Sequence, residues 1–106
     1  MAKYLVVASY TTEGIRGVKA NGGTARREAV EKTVASLGGR VEAFYFGFGS
    51  EDAFVLLDLP DNTTAAAMGL AVGASGAAST RTVVLLSAEE IDKAAGLGVD
   101  YRPPGK

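Results

Sequence analysis

Residues 40–59 constrain this chain most: two alternating runs joined across Gly47-Phe48-Gly49-Ser50, in which neither set of alternate side chains is polar enough to face water. Successive side chains of a strand point to opposite faces, so such a hairpin needs cover on both. In the second run Ala53, Val55, Leu57 and Leu59 form one set, and Asp52, Phe54, Leu56 and Asp58 the other. We assign the wholly apolar set to helices of the same chain. The opposite face is still oily. It carries Phe54 and Leu56, beside either the Phe44-Phe46-Phe48 row or Tyr45 with Val41, and an apolar face of this size on a short chain predicts a second copy as its cover.

The flanking segments supply the rest of an α+β domain. Residues 3–10 alternate as a first strand rich in β-formers. Residues 11–23 are punctuated by Gly14, Gly17 and Gly22 and are expected to be a connection with at most one irregular helical turn. From Thr24, taken as an N-cap, Ala25, Ala29, Val30, Thr33, Val34 and Leu37 fall on one helical stripe. Arg26 and Arg27 are read as solvated charges on that helix, which Gly38-Gly39 ends. Asp61 or Asn62 caps a second helix to about residue 74, where Gly69 and Gly73 are expected to permit close approach to a sheet. A fourth strand, about 80–87, meets a capping box built on Ser87 and Glu90. The order β-α-β-β-α-β, with right-handed crossovers, predicts a four-stranded antiparallel sheet with both helices on one face. Residues 1–95 form the domain on this reading, and 96–106 a tail that is either flexible or laid along a neighbouring surface.

Composition removes more functions than it suggests. Cysteine and histidine are both absent, so thiolate nucleophiles, zinc-thiolate sites, histidine general bases and Ser-His-Asp arrangements are out, and neither a metal nor another cofactor is expected. The formal net charge of -1 comes from interspersed signs, which gives no footprint for a nucleic acid or an anionic membrane. The opening residues do not resemble a signal peptide, and residues 65–78, broken by glycines, are too short for a membrane span. A cytoplasmic protein is expected. No glycine-lysine-serine or glycine-lysine-threonine follows the early glycines, so no P-loop is present, and the aromatic run 44–48 lacks the basic residue of an RNA-recognition signature.

The remaining candidates for a ligand site are Tyr10 and Tyr45, with amphipathic rings and a hydroxyl, Arg16 from the glycine-rich connection, and Asp52 at the rim of the oily face. Lys19 and Arg81 are weaker sources of positive charge. Glu51 and Asp52 are adjacent, but neighbours on a strand face opposite ways, so only a turn conformation would let them act as an acid–base pair.

Three stretches carry a family resemblance: Tyr10-Thr11-Thr12-Glu13-Gly14-Ile15-Arg16-Gly17, Ser36-Leu37-Gly38-Gly39, and Gly49-Ser50-Glu51-Asp52-Ala53-Phe54 with Asp58-Leu59-Pro60-Asp61. In them the chain resembles the GYD domain family, with Glu51 where the family tyrosine belongs. The resemblance implies a ferredoxin-like fold assembled as a dimeric α+β barrel, and it implies no activity. The expected function is a homodimeric small-ligand-binding or accessory domain without catalysis of its own, taking a small hydrophobic or carbonyl-bearing ligand. Its alternatives are a cofactor-independent oxygenase or isomerase using Asp52 as base, and an interaction protein with no pocket.

Overall fold

The computed structural model describes residues 1–106. The elements run β1 (Ala2–Tyr10), α1 (Thr12–Asn21), α2 (Gly23–Ser36), β2 (Arg40–Phe46), β3 (Ala53–Leu59), α3 (Asn62–Ala74), β4 (Ala78–Leu85) and α4 (Ala88–Ala95). The four strands form one antiparallel sheet in the order β2-β3-β1-β4, the ferredoxin-like arrangement expected from the βαββαβ order. α2 and α3 lie on one face of it. There Val30 and Val34 of α2 and Ala65 and Met68 of α3 pack on Tyr4, Val6, Val55, Leu57 and Leu59, the main core of the protein.

The apolar set of β3 faces the helices as expected, but β2 follows neither alternative. A β-bulge between Val41 and Ala43 shifts the register, so Val41 lies opposite Leu57 while Phe44 and Phe46 lie opposite Val55 and Ala53, all on the helix side. A bulge inserts one residue into one strand and so switches which alternate set faces inward. Tyr45 and Ala43 are thereby turned to the open side, beside Phe54 and Leu56.

α1 is a ten-residue helix where sequence pattern argued for a connection. Glycine is a poor helix former, but Gly14 is required here by packing: a Cβ at that position would run into the carbonyl oxygen of Ala77. The capping side chain is Thr11, which accepts from Gly14 N–H at 3.2 Å and donates to Gly76 O at 2.9 Å, tying α1 to the turn before β4. α2 begins at Gly23 after Gly22, φ 87°, rather than at an N-cap on Thr24, and it has no side-chain cap. It ends as predicted, with Gly38 at φ 78° and Gly39 N–H donating back to Val34 O at 3.0 Å. In α3, a Cβ on Gly69 would meet only Thr80 at ordinary contact distance, and one on Gly73 would meet nothing, so neither glycine is needed for the approach to the sheet.

The cap of α3 is the expected one. Asp61 Oδ1 accepts from Thr64 N–H at 2.8 Å and from Thr64 Oγ1–H at 2.7 Å, and these bonds hold the Asp61 carboxyl below its usual range. Glu90 is lowered in the same way by its bonds to Ser87 in the capping box of α4. A carboxyl with a depressed folded-state pKa contributes stability above its unfolded value, near pH 4, and loses it as pH falls through the folded value. Melting temperature is therefore expected to drop on acidification below about pH 4, and to drop less in Asp61→Asn, whose amide still caps but does not titrate. Thermal melts of the two proteins from neutral pH downward check this.

α4 and the tail are set apart from the rest. Every residue from Leu86 to Lys106 is exposed, including Ile91, Leu97, Val99 and Tyr101. No helix of the chain is long and apolar enough to cross a membrane.

Candidate ligand-binding site

At the end of the domain where β1 gives way to α1, the walls of α1 and α2 part around a groove of about 280 Å³, flanked by Tyr10, Glu13, Val18, Asn21 and Arg26. Beneath it, between the helices and the sheet, lies an apolar slot of about 50 Å³ lined by Val6, Val30, Phe44, Val55, Met68 and Val72. Tyr10 and Arg26 belong to both walls, so they stand between a groove of mixed lining and a smaller, more apolar slot. This pair is the centre of the candidate site.

Arg26 departs from the solvated charge read from the sequence. It is half-buried, whereas its neighbour Arg27 is exposed and pairs with Glu31 at 3.6 Å. The signal was present: Arg26, Val30 and Val34 are spaced by four, one stripe of the helix, and both valines are buried. Arg26 Nε is the one buried side-chain polar atom of the protein that has no hydrogen-bond partner, and the guanidinium takes part in none of the chain's ion pairs. A buried donor with no acceptor carries a cost of about 1–3 kcal/mol, more for a charged group, so this is an unusual arrangement for an arginine without a purpose.

The four residues singled out from the sequence do not converge. Tyr10 lies in the groove wall, on the helix side of β1 with Tyr4, Val6 and Ala8. Asp52 sits just beyond β3, in neither cavity wall, and its Oδ2 accepts from the backbone N–H of Tyr10 at 2.8 Å while its own N–H donates to Ala8 O at 2.8 Å. Asp52 thus continues the β1–β3 pairing one step with a side chain and fixes the backbone that carries Tyr10. Arg16 is exposed on α1 and outside the groove wall. Tyr45 is 70% exposed on the opposite face of the sheet. Lys19 is exposed, and Arg81 pairs with Glu51, Nε to Oε2, at 3.3 Å.

The role of Asp52 is open to a direct test. Asp52→Ala is expected to cost about 1–3 kcal/mol by leaving Tyr10 N–H without its acceptor, and Asp52→Asn, which keeps an oxygen there, less than half as much. Denaturant unfolding of both variants distinguishes a backbone tie from a proton-transfer role, under which the two would be equally stable.

The open face of the sheet has its own order, visible in three rows across the strands. Val83, Leu5, Leu56 and Ala43 form the middle row; Arg81, Val7, Phe54 and Tyr45 one flank; Leu85, Lys3, Asp58 and Arg40 the other. Charges gather at the ends. Lys3 bridges Glu42 and Asp58, the latter at 2.9 Å, and Arg40 meets Asp58 at 3.2 Å, while the Arg81–Glu51 pair marks the opposite end. The hydrogen bonds from Lys3 to both carboxylates raise its pKa above the ordinary lysine value.

The fold and its two faces define an α+β domain of ferredoxin-like topology with a small ligand-sized opening at one end. The GYD domain family model matches residues 4–95, which takes in all four strands but for the first two residues of β1, together with α4, and the chain belongs to that family. No curated protein and no solved structure matches it.

Proposed function

We propose that this GYD domain is a homodimeric small-ligand-binding module without catalysis of its own. The observation that carries this reading is the pair of neighbouring cavities that share Tyr10 and Arg26, mixed in lining outside and largely apolar within, a make-up that suits a small-molecule site. Its residues suit holding a molecule better than transforming it. The groove has no histidine or cysteine to move protons, and the carboxylate considered as a base, Asp52, is engaged by the backbone beside Tyr10.

The dimer rests on the open sheet face. An apolar centre of Leu5, Leu56, Phe54 and Val83 bounded by ion pairs at both ends matches the core-and-rim anatomy of protein interfaces. Two such faces laid together give the dimeric α+β barrel. The arm formed by α4 and the tail adds support, because an isolated helix of eight residues is marginal in water and this one has no cover from its own domain.

Ligand binding is tested by thermal shift against a panel of small apolar and carbonyl-bearing compounds. Stabilisation by a ligand at 100 times its Kd is expected to be about 2.7 kcal/mol, a rise of several degrees for a domain of this size. If no compound raises the melting temperature, the module has no such ligand and the pocket-free interaction reading replaces this one.

A further inference from the structure

Resting on the ligand-binding reading, the geometry points to the chemical class of the ligand: a monocarboxylate bearing a short aliphatic group, its carboxylate on the Arg26 guanidinium and its aliphatic end in the slot beneath. Arg26 presents a buried Nε–H with no acceptor in the protein, at the boundary of the two cavities. A carboxylate is the anion whose planar pair of oxygens matches a guanidinium, and the bond is stronger than a neutral one because both partners are charged. Tyr10, which lines the same two cavities, supplies a hydroxyl-bearing side chain beside it.

Charge on the groove wall narrows the class to a single negative charge. Arg26 is the only cationic residue lining either cavity, and Glu13 lines the outer one, so a dianion such as a phosphate monoester would meet one positive and one negative side chain. Size narrows the other end. The slot holds about 50 Å³, a third of the roughly 150 Å³ that accommodates benzene, so a branched group of a few carbons fits and an aromatic ring does not. Its lining is mostly valine, alanine, methionine and phenylalanine, with the hydroxyls of Thr33 and Thr80 at its edge, so it favours an aliphatic end.

The experiment is isothermal titration of the full chain with 3-methylbutanoate and with its neutral isostere 3-methylbutanamide, on the wild type, Arg26→Gln and Arg26→Lys. Arg26 makes no ion pair or side-chain hydrogen bond within the chain, so neither variant is expected to melt below the wild type. The acid is expected to bind the wild type at least tenfold more tightly than the amide, the preference to vanish in Arg26→Gln, and part of it to return in Arg26→Lys, which keeps the charge but loses the fork. Acid and amide binding the wild type equally well would overturn the carboxylate assignment while leaving a ligand site in place. A preference that persists in Arg26→Gln would overturn the role of Arg26. Failure of both compounds to bind, alongside stabilisation by other compounds in the thermal-shift panel, would overturn the ligand class alone, whereas failure of the whole panel would remove the site.

Discussion

Leu56→Glu is expected to turn the proposed dimer into a monomer at micromolar concentration, with the dissociation constant raised by roughly two to four powers of ten. Leu56 occupies the middle row of the open face, flanked across the strands by Leu5 and Ala43. A face-to-face dimer is symmetric, so each substitution is present twice. Burial of a leucine side chain is worth about 1.5–3 kcal/mol, which makes the loss about 3–6 kcal/mol before the cost of an unpaired carboxylate is added. At about 1.4 kcal/mol per factor of ten, the change lies far outside the error of sedimentation equilibrium. Leu70→Glu is the control. Leu70 is 75% exposed on α3, on the other side of the sheet, and its replacement is expected to leave association unchanged. A wild-type chain that sediments as a single subunit, or an unaltered Leu56→Glu dimer, would remove the face-to-face arrangement.

Tyr4→Ala is expected to be the most damaging substitution within one chain, at about 3–5 kcal/mol, and Tyr4→Phe a mild one near 1 kcal/mol. Tyr4 is fully buried in the centre of β1, opposite Leu57 on one side and Val84 on the other, and its ring packs in the core cluster with residues of both α2 and α3. Its hydroxyl donates to Asn62 Oδ1 at 2.6 Å, in the first turn of α3. Asn62 is exposed, so water can take the place of the lost phenol in Tyr4→Phe, whereas alanine leaves a cavity the size of a ring. Domains of this size are stable by about 5–15 kcal/mol, so the alanine variant stands near the unfolding threshold. Urea unfolding of the two variants separates the ring from the hydroxyl; similar losses would mean that the hydrogen bond, rather than packing, holds α3 in place.

Several elements were legible because their signals are local. The cap at Asp61, the capping box of Ser87 and Glu90, the Gly38 terminus of α2 and the inward set of β3 each depend on residues within a few positions of one another. α1 was not legible. Its glycines argue against a helix until the backbone of Ala77, more than sixty residues away, is seen to demand one at Gly14. The bulge in β2 was hidden for a related reason. Both alternate sets of residues 40–46 are apolar enough to face inward, and pairing with β3 alone decides where the extra residue goes.

The candidate site shows the same division. Tyr10, a candidate from the sequence, lines the groove, whereas Arg26 reads from the sequence as a solvated charge because charge on a helix is ordinarily solvated, although it lies on the same stripe as Val30 and Val34. Residue type alone groups Arg16 and Tyr45 with Tyr10, and the fold places the three on different surfaces.

Order and spacing along the chain were enough to specify four strands, the helices that cover one side of them, the absence of histidine and cysteine chemistry, and an oily second side. Three-dimensional packing decided which aromatic residues of β2 turn outward, made a helix of a glycine-rich link, and left one arginine half-buried with nothing to bond. The division is physical: caps and alternation are set by neighbours in sequence, whereas register, close approach and the solvation of a side chain depend on atoms that the fold alone brings near.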